Sequence, residues 1–438
     1  MSGQHDSFLD TLPSGWTSDR LKDVVTLRNE KTSEASEEED YLELEDLEAG
    51  TGRVLSRRNT LEVESAVTIF KKGDVLFGKL RPYLEKYYAA EFDGKCTGEI
   101  LAFKPERIAS RFLSYCVGSR WFIERCNALA YGAKMPRVSW PTQLAQFNVP
   151  LPPLQEQERI ATYLDASCAA IDAAVAAKRR QIETLDHVRR DIVQRAVTRG
   201  LDDSPNLRAT GNAWMKEVPS HWDLVSLKRV SEIQTGLTLG KVYEGALIER
   251  PYLRVANVQD GHLNLEDVTT IEVPVEVAHR VELRPGDVLM TEGGDLDKLG
   301  RGTIWSGEVT DCLHQNHIFA IRCFTHKLLP PFLAHLTTSR YGRDYFEATG
   351  KRTTNLASTN STKVGLFPIP RPPVAEQRAI CRFLEDKFAE LARVKSCIEA
   401  QIDVLTSYRK SLIHECVTGQ RRVTEADVLR AQNGRVRT

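Results

Sequence analysis

One segment occurs twice in the chain, and it limits the possible folds more than any other feature. Residues 149–200 align without a gap with residues 369–420, at an offset of 220. Both copies open on the pattern P-x-P-P-x-x-E-Q, which ends at Gln157 and at Gln377. A long repeat period constrains the architecture before any local assignment, because each copy must form the same kind of unit.

Shorter matches precede each copy. They pair PSGW with PSHW, YLELEDL with YLRVANV, and GDVLF with GDVLM. The offsets drift from 206 to 220, so the upstream parts differ by insertions whereas the downstream segments keep one length. The repeat therefore consists of a variable head and a constant stalk. Trp16 and Trp222, at the ends of PSGW and PSHW, precede apolar runs, and we interpret both as core residues.

The heads have the pattern of mixed α/β domains. Short apolar runs bounded by Gly-Asp turns or polar clusters predict strands. These runs are residues 75–77, 100–103, 288–290 and 318–321. Helical periodicity follows in each head, around residues 108–129 and 333–346. A compact α/β domain of about 150 residues is reasonable for each half.

The stalks have the pattern of long helices with a coiled-coil seam. In the second stalk the apolar residues that recur every seven positions are Leu384, Leu391, Ile398, Leu405 and Leu412. The first stalk keeps the same frame with Leu164, Ile171, Leu185 and Ile192. It places Lys178 where the second has Ile398, and a lysine at a seam position can fix the register of pairing.

Each stalk of about 45 residues would span about 65 Å as a helix. The two most simply pair with each other, which predicts two α/β heads joined by an antiparallel two-helix coiled coil with a pseudo-twofold internal repeat. The predicted segments are residues 1–150 (first head), 151–200 (central helix), 201–217 (linker), 218–370 (second head), 371–420 (C-terminal helix) and 421–438 (tail).

The order of head, P-x-P-P-x-x-E-Q helix, head and P-x-P-P-x-x-E-Q helix resembles the specificity subunit of type I restriction-modification systems. The resemblance extends from PSGW to about Val423. GDVLFGKLRPYLEK from Gly73 and GDVLMTEGGDLDKLGRG from Gly286 resemble segments of the target recognition domains of that family. No single motif is diagnostic, but their duplicated order is specific.

The resemblance implies that each head reads one half of an asymmetric bipartite site in double-stranded DNA. It implies that the helices act as a ruler and as the docking surface for two methyltransferase subunits, joined by motor and nuclease subunits for restriction. The chain itself would be non-catalytic and hold no cofactor, because S-adenosylmethionine, ATP and magnesium would bind to the partner subunits. The heptad residues above are the expected coiled-coil and docking positions.

Basic residues near glycine or proline in the heads are the candidates for DNA contact. Arginine and lysine bind guanine O6 and N7 or phosphate, and asparagine pairs with adenine. The first head offers Lys79, Arg81, Tyr83, Lys86, Lys134 and Arg137. The second head offers Lys298, Arg301, Lys351, Arg352 and Asn355. A solvated loop remains the alternative for each set.

Composition restricts the other classes of function. The net charge of -1 is low for a DNA-binding chain, which requires localised basic residues or help from partner subunits. The N-terminus has no signal-peptide pattern and no run of about 20 apolar residues is present, so we expect a cytoplasmic protein outside the membrane. Nine cysteines without a C-x-x-C motif fit reduced thiols in such a compartment.

The segments that come closest to known catalytic and metal-binding motifs each lack a required residue. GDVLFGKL approaches a phosphate-binding loop, but Leu80 stands where a magnesium-binding hydroxyl is required. Cys312, His314 and His317 lack a fourth ligand at zinc-finger spacing, so we expect no metal. A non-catalytic coiled-coil scaffold with protein-binding heads remains the alternative function. An autonomous DNA-binding regulator would need a helix-turn-helix or a more basic domain.

Overall fold

The computed structural model of this chain describes residues 7–33, 40–59, 66–238, 240, 243–294, 299–300, 302–352 and 357–434. The chain divides into two units, of which the first comprises Met1–Arg179 with Ile398–Thr438 and the second comprises Arg180–Cys397. Each unit therefore contains one head, one part of the first long helix and one part of the second.

The first head is built on a four-stranded antiparallel sheet. In spatial order its strands are Val25–Leu27, Ile100–Pro105, Val75–Gly78 and Tyr87–Ala89. The strand that follows the Gly-Asp turn is fully buried, and Val75 pairs with Phe103. A second sheet contains Lys31–Thr32, Val67–Phe70, Gly94–Cys96 and Tyr41–Leu42. Thr17–Arg20 pairs with Asn148–Leu151 and joins the two ends of the head.

The second head repeats this plan. Its four-stranded sheet contains Ser231–Thr235, Ile318–Cys323, Val288–Thr291 and Gly302–Ile304. The other sheets contain Thr269–Val273 with Ile248–Leu253 and Leu313–His314, and Gly293–Gly294 with Ala357–Ser358 and Lys351–Arg352. Asp223–Ser226 pairs with Pro368–Arg371, as the equivalent strands do in the first head. The strands expected from both GDVL motifs are confirmed.

Each helical pattern of the heads forms two short helices. They are Ser110–Val117 and Arg120–Leu129 in the first head, and Pro330–Thr338 and Arg340–Thr349 in the second. A serine starts the second helix of each pair, because the hydroxyls of Ser119 and Ser339 accept hydrogen bonds from backbone N–H groups of the first turn. Shorter helices are Leu21–Val24, Val275–Val281 and Ser361–Leu366.

The Gly-Asp pair of each GDVL motif forms the turn before the buried strand. Both glycines have left-handed φ values, +92° and +95°, which glycine adopts without strain. Asp74 is buried and forms a bidentate pair with Arg28, at 2.9 and 3.1 Å. Asp287 forms the same pair with Arg322, at 2.9 and 2.7 Å. A buried carboxylate is costly without a partner, and the two heads supply that partner from different positions: Arg28 follows the strand Val25–Leu27, whereas Arg322 lies within the strand Ile318–Cys323.

The long helices are Leu154–Arg199 and Val374–Val417. Gly200 and Gly419 follow them with φ values of +79° and +77°, which ends a helix. By length and composition alone, the first helix could also span a membrane, since an 18-residue window has a hydropathy of 1.3 and is 33% buried. A helix in the core of a protein meets the same criteria, and Leu164 of this helix lies in the core of the first unit.

Within each unit the two helical segments run antiparallel. In the first unit Asp172 lies 3.1 Å from Arg409, and Lys178 donates to Gln401 nearer the other end of each segment. In the second unit Arg189 lies over the ring of Phe388. The heptad residues Leu164, Ile171, Leu384 and Leu412 are buried, whereas Leu185, Ile192, Leu391, Ile398 and Leu405 are half-buried. The seam is thus most buried where a head covers it.

The glutamine of each P-x-P-P-x-x-E-Q motif joins a long helix to its head. Gln157 accepts a hydrogen bond from the backbone N–H of Ala109, at 2.8 Å, and donates to the carbonyl oxygen of Pro152, at 2.8 Å. Ala109 is the N-cap of a head helix. Gln377 makes the equivalent bonds in the second head, at 2.8 and 2.9 Å. The motif is therefore a fixed junction between helix and head.

The repeated tryptophans pack where a long helix ends. Trp16 and Trp222 are 8% and 1% exposed, which confirms them as core residues. A Cβ on Gly200 would lie 3.2 Å from Trp222, and one on Gly419 would lie 3.3 Å from Trp16. Each head therefore packs against the end of the long helix that belongs to the other repeat.

The segment after residue 420 contains a helix, Glu425–Gln432, which starts at a Thr424 capping box. Val423 and Val428 are buried in the core of the first unit. Arg159 of the first long helix donates to the carbonyl oxygen of Val423, at 2.9 Å. This segment is therefore part of the packed first unit. In the second unit, the segment expected as linker contains the strand Leu207–Ala209, which pairs with Glu217–Pro219 at the start of the second head.

Candidate nucleic-acid interface

A loop with unusual backbone geometry follows the buried strand Val75–Gly78 of the first head. It contains the short 3-10 helix Pro82–Leu84, flanked by Arg81 and Glu85, both with a φ of +51°. Non-glycine residues seldom adopt this left-handed conformation, and where they do the surroundings hold them there. The basic residues of this loop made it a candidate in the sequence, but no sequence pattern indicates the left-handed backbone.

A second loop, residues 131–137, holds the first in place. Tyr131 and Arg137 exchange two backbone hydrogen bonds, at 3.0 and 2.9 Å, which closes it as a small hairpin. The N–H of Arg81 donates to the carbonyl oxygen of Pro136, at 2.7 Å, and the N–H of Val138 donates to that of Lys79, at 3.0 Å. The structure thus brings the two candidate loops of the first head together on one preorganised surface.

The candidate side chains on this surface differ in how exposed they are and in whether they form an ion pair. Arg81, Tyr83 and Lys134 are exposed, and the guanidinium of Arg81 also donates to the carbonyl oxygen of Lys134, at 3.3 Å. Arg137 forms a bidentate pair with Glu99, at 3.0 and 3.1 Å, and this hydrogen bonding raises its pKa. Its geometry suits positioning of the loop more than direct contact with a ligand.

Lys79 and Lys86 are half-buried at the two ends of the first loop. The ammonium of Lys86 donates to the carbonyl oxygen of Leu47, which directs it towards the interior of the head. Tyr131 and Met135 lie on the same surface, 60% and 45% exposed, and were not among the residues predicted from the sequence. In the sequence, only their position as large side chains close to Lys134 and Arg137 could have indicated them.

In the second head, Lys351 and Arg352 form an edge strand that pairs with Ala357–Ser358. Lys351 is exposed. The remaining candidates, Lys298, Arg301 and Asn355, lie outside the described residues, as does the side chain of Arg352.

Cys312, His314 and His317 each contact a different partner. The Cys312 thiol is buried and donates to the carbonyl oxygen of Leu313. Nδ1 of His314 lies 3.0 Å from the carbonyl oxygen of Ile318, and Nδ1 of His317 lies 2.6 Å from a carboxylate oxygen of Glu292. Among the residues that the structure describes, no group of three or more His, Cys, Asp or Glu could hold a metal ion.

Two α/β heads of one plan, each fixed to a long helix by the same glutamine junction, define a class of internally duplicated, helix-linked protein. Residues 13–184 match the family described as type I restriction modification DNA specificity domain. The chain resembles the EcoKI specificity subunit of Escherichia coli K12, with 24% identity over 75% of this chain and 70% of that one. It is 27% identical to a putative MjaX specificity subunit of Methanocaldococcus jannaschii over 46% and 47% of the two chains.

Two solved structures share the fold over almost all of both chains. A chain from a structure of type I restriction-modification assembly and conformational transition superposes with a TM-score of 0.67 at 20% identity, over 94% of this chain and 99% of that one. The HsdS subunit of Thermoanaerobacter tengcongensis superposes with a TM-score of 0.53 at 19% identity, over 94% and 98%. The first head and part of the first long helix thus match this family's domain, and the two solved structures share the fold of almost the whole chain.

Proposed function

We propose that this chain is the DNA-recognition subunit of a type I restriction-modification complex, in which each head reads one half of an asymmetric bipartite site. The observation that carries the proposal is the preorganised surface of the first head, where Arg81, Tyr83 and Lys134 are exposed on two loops bonded to each other. Rigid loops that expose arginine, lysine and tyrosine suit contact with base edges and phosphates.

Individual residues take different roles in this proposal. Arg81 and Lys134 contact DNA directly, and Tyr83 adds a flat apolar surface beside them. Arg137, held by Glu99, and Lys86, bonded to Leu47, position the loops. In the second head, Lys298, Arg301, Lys351, Arg352 and Asn355 stay proposed contacts on the basis of sequence. Lys79, half-buried at the start of its loop, also stays a proposed contact.

We propose the long helices as the docking surface for two methyltransferase subunits. Large apolar side chains remain exposed on them, including Val404 at 68% and Tyr408 at 49% in the first unit, and Val394 at 43% in the second. Burial of such residues against a partner removes apolar surface from water, which favours association. The half-buried heptad residues would be covered further by the same contact.

The chain supplies no catalytic group in this proposal. S-adenosylmethionine, ATP and magnesium bind to the methyltransferase and to the motor and nuclease subunits. The complex acts on double-stranded DNA in the cytoplasm. Because the partner subunits contribute phosphate contacts, the complex can bind DNA although this chain has a net charge of -1.

The test is co-expression of the chain with the methyltransferase subunit of its own system, followed by mapping of methylated adenines across the host genome. We expect a gapped, asymmetric motif that disappears when this chain is omitted. The double variant Arg81→Ala, Lys134→Ala should weaken methylation, whereas Lys22→Ala, on an exposed position of the short helix Leu21–Val24 of the first head and outside both candidate loops, should not.

Methylation that is unchanged without this chain, together with no association between the two proteins, would contradict the proposal. It would favour the non-catalytic scaffold with protein-binding heads. That alternative also predicts that the double variant leaves every methylated position unchanged.

A further inference from the structure

The second long helix contacts the recognition surface of the first head, and these contacts lie within the first unit. Arg409 is 6% exposed and donates to the carbonyl oxygens of Gly50, at 2.6 Å, and Thr51, at 3.2 Å. Both carbonyls belong to the tip of a hairpin, residues 47–54, which is closed by a backbone bridge between Leu47 and Val54. A buried guanidinium therefore binds the backbone of this hairpin from the helix.

Asp172 of the first long helix completes this contact. It lies 3.1 Å from Arg409 and 2.5 Å from Arg53 of the hairpin. A cavity of about 600 Å³ separates much of the hairpin from the helices, and these residues line it. The tip of the hairpin is held by these bonds from the helices and also by Tyr87, whose hydroxyl donates to the carbonyl oxygen of Gly50, at 3.2 Å. We call Arg409, Asp172 and Arg53 the clamp.

The hairpin is connected to the first candidate DNA loop. The N–H of Gly50 donates to the carbonyl oxygen of Glu85, at 2.9 Å, and Lys86 donates to the carbonyl oxygen of Leu47. Lys410, next to the clamp arginine, lies 2.6 Å from the Glu85 carboxylate. Glu85 is one of the two residues with left-handed φ in the DNA loop. The helix therefore constrains the C-terminal end of that loop both directly and through the hairpin.

The second unit has different contacts at the equivalent positions. The repeat offset of 220 pairs Arg409 with Arg189, Lys410 with Arg190 and Asp172 with Ala392. Arg189 lies over the ring of Phe388, 4.5 Å from its centroid, and the Arg190 guanidinium lies 3.0 Å from His187.

The hairpin of the second head is also different. It is closed by a bridge between Val258 and Leu263 and is therefore shorter. Its tip carboxylate, Asp260, lies 2.6 Å from Arg343 of the same head. The two recognition surfaces are thus supported by different contacts, although the heads share one plan.

We propose that the clamp and Lys410 are positioning residues for target recognition by the first head alone. The proposal rests on the proposed function, since it assumes that the loop at residues 79–86 reads DNA. Loosening the clamp frees the loop to adapt to incorrect bases, so discrimination at the first half-site falls. The second half-site keeps its discrimination, because the described residues of its head form no equivalent clamp.

The experiment uses the complete methyltransferase complex and duplexes that carry single-base changes in either half-site. The half-site of the first head is identified with a chimaera in which the first head is exchanged for that of a relative with a known target. The variants are Arg409→Gln, Asp172→Asn and Lys410→Ala, with Arg189→Gln and Arg190→Ala as matched controls in the other repeat. Lys410 is exposed, so its replacement is expected to leave the fold intact.

We expect Arg409→Gln to lower discrimination at the first half-site by about tenfold, within the range that one bidentate base contact supplies. Lys410→Ala should act in the same direction but more weakly, and the controls should leave that half-site unchanged. Hydrogen exchange of the amides in residues 79–86 should quicken in Arg409→Gln, with the correct site still methylated.

Two results would overturn the inference while leaving the proposed function intact. One is specific methylation with unchanged discrimination at both half-sites in the clamp variants. The other is an equal loss at both half-sites, which would indicate a general loss of stability. If the wild-type complex instead directs no methylation that depends on this chain, the proposed function fails and the inference fails with it.

Discussion

His314 is a titratable residue whose surroundings depart strongly from water. It is fully buried in the second head, and Nδ1 lies 3.0 Å from the carbonyl oxygen of Ile318. Burial lowers its pKa to about 4, because the charged imidazolium loses its hydration. In the unfolded chain a histidine has a pKa of about 6.5. The folded state therefore takes up this proton at lower pH than the unfolded state does.

The second unit should consequently lose stability in mild acid. Its free energy of unfolding should be fully maintained above about pH 6.5 and should fall as the pH drops from about 6.5 to about 4, because the unfolded state binds the proton first. His314→Asn keeps an N–H donor near the position of Nδ1 but cannot titrate there. Urea unfolding at a series of pH values should show a weaker pH dependence in this variant.

His335 of the same unit, whose pKa burial also lowers to about 4, supplies an internal comparison. A chain that carries both His314→Asn and His335→Asn should show a weaker pH dependence of the free energy of unfolding than either single variant. A pH dependence identical to that of the wild type in His314→Asn would show that this residue does not titrate on unfolding.

At the scale of elements, the junction glutamines explain why the long helices begin where they do. Gln157 bonds the N–H of Ala109 and the carbonyl oxygen of Pro152, both at the edge of a core. Gln377 makes two such bonds and a third to the carbonyl oxygen of Lys327, at 2.9 Å. Leaving a buried backbone group without a partner costs about 1–3 kcal/mol.

Replacement of either glutamine by leucine should therefore destabilise one unit selectively. We expect Gln157→Leu to lower the free energy of unfolding of the first unit by about 2–4 kcal/mol, and Gln377→Leu to cost the second unit more because a third bond is lost. Gln155→Leu, on an exposed position two residues earlier, is the control and should change little. Equal effects of all three replacements in denaturant titrations would contradict this role.

The sequence predicted elements well where periodicity is strong. The long helices, the buried strands after the Gly-Asp turns and the core role of both tryptophans followed from the spacing of apolar residues and from the internal repeat. The division of each head helix at Ser119 and Ser339 and the positive φ of Arg81 and Glu85 did not, because they depend on local hydrogen bonds. The Glu99 partner of Arg137 is 38 residues away in sequence, so no local pattern identifies it.

At the scale of the whole molecule, the first unit combines two segments that are distant in sequence. The first unit joins the first head to residues 154–179 and to residues from Ile398 onwards. Its core includes Leu164 from one long helix and Leu412 from the other. The second unit is instead one continuous stretch, Arg180–Cys397. A change near the C-terminus should therefore be felt in the first head, the part of the chain nearest the N-terminus.

Truncation after residue 420 provides the test. It removes Val423 and Val428 from the core of the first unit and deprives Arg159 of its backbone acceptor. It also removes Arg422, which lies 3.4 Å from the largely buried Glu156. We expect the first unit to unfold at lower denaturant concentration while the second keeps its transition, because loss of buried apolar side chains costs about 1.5–3 kcal/mol each.

Truncation after residue 434 is the matched control, since it keeps each of these contacts. Recognition of the first half-site should decline when the first unit is destabilised. The shorter chain should therefore lose methylation that depends on the first half-site before it loses binding through the second. If a chain truncated after residue 420 keeps two unchanged unfolding transitions, the helix Glu425–Gln432 is dispensable for the stability of the first unit. Selective loss in the first unit would instead mean that recognition by the N-terminal head depends on folding of the C-terminus.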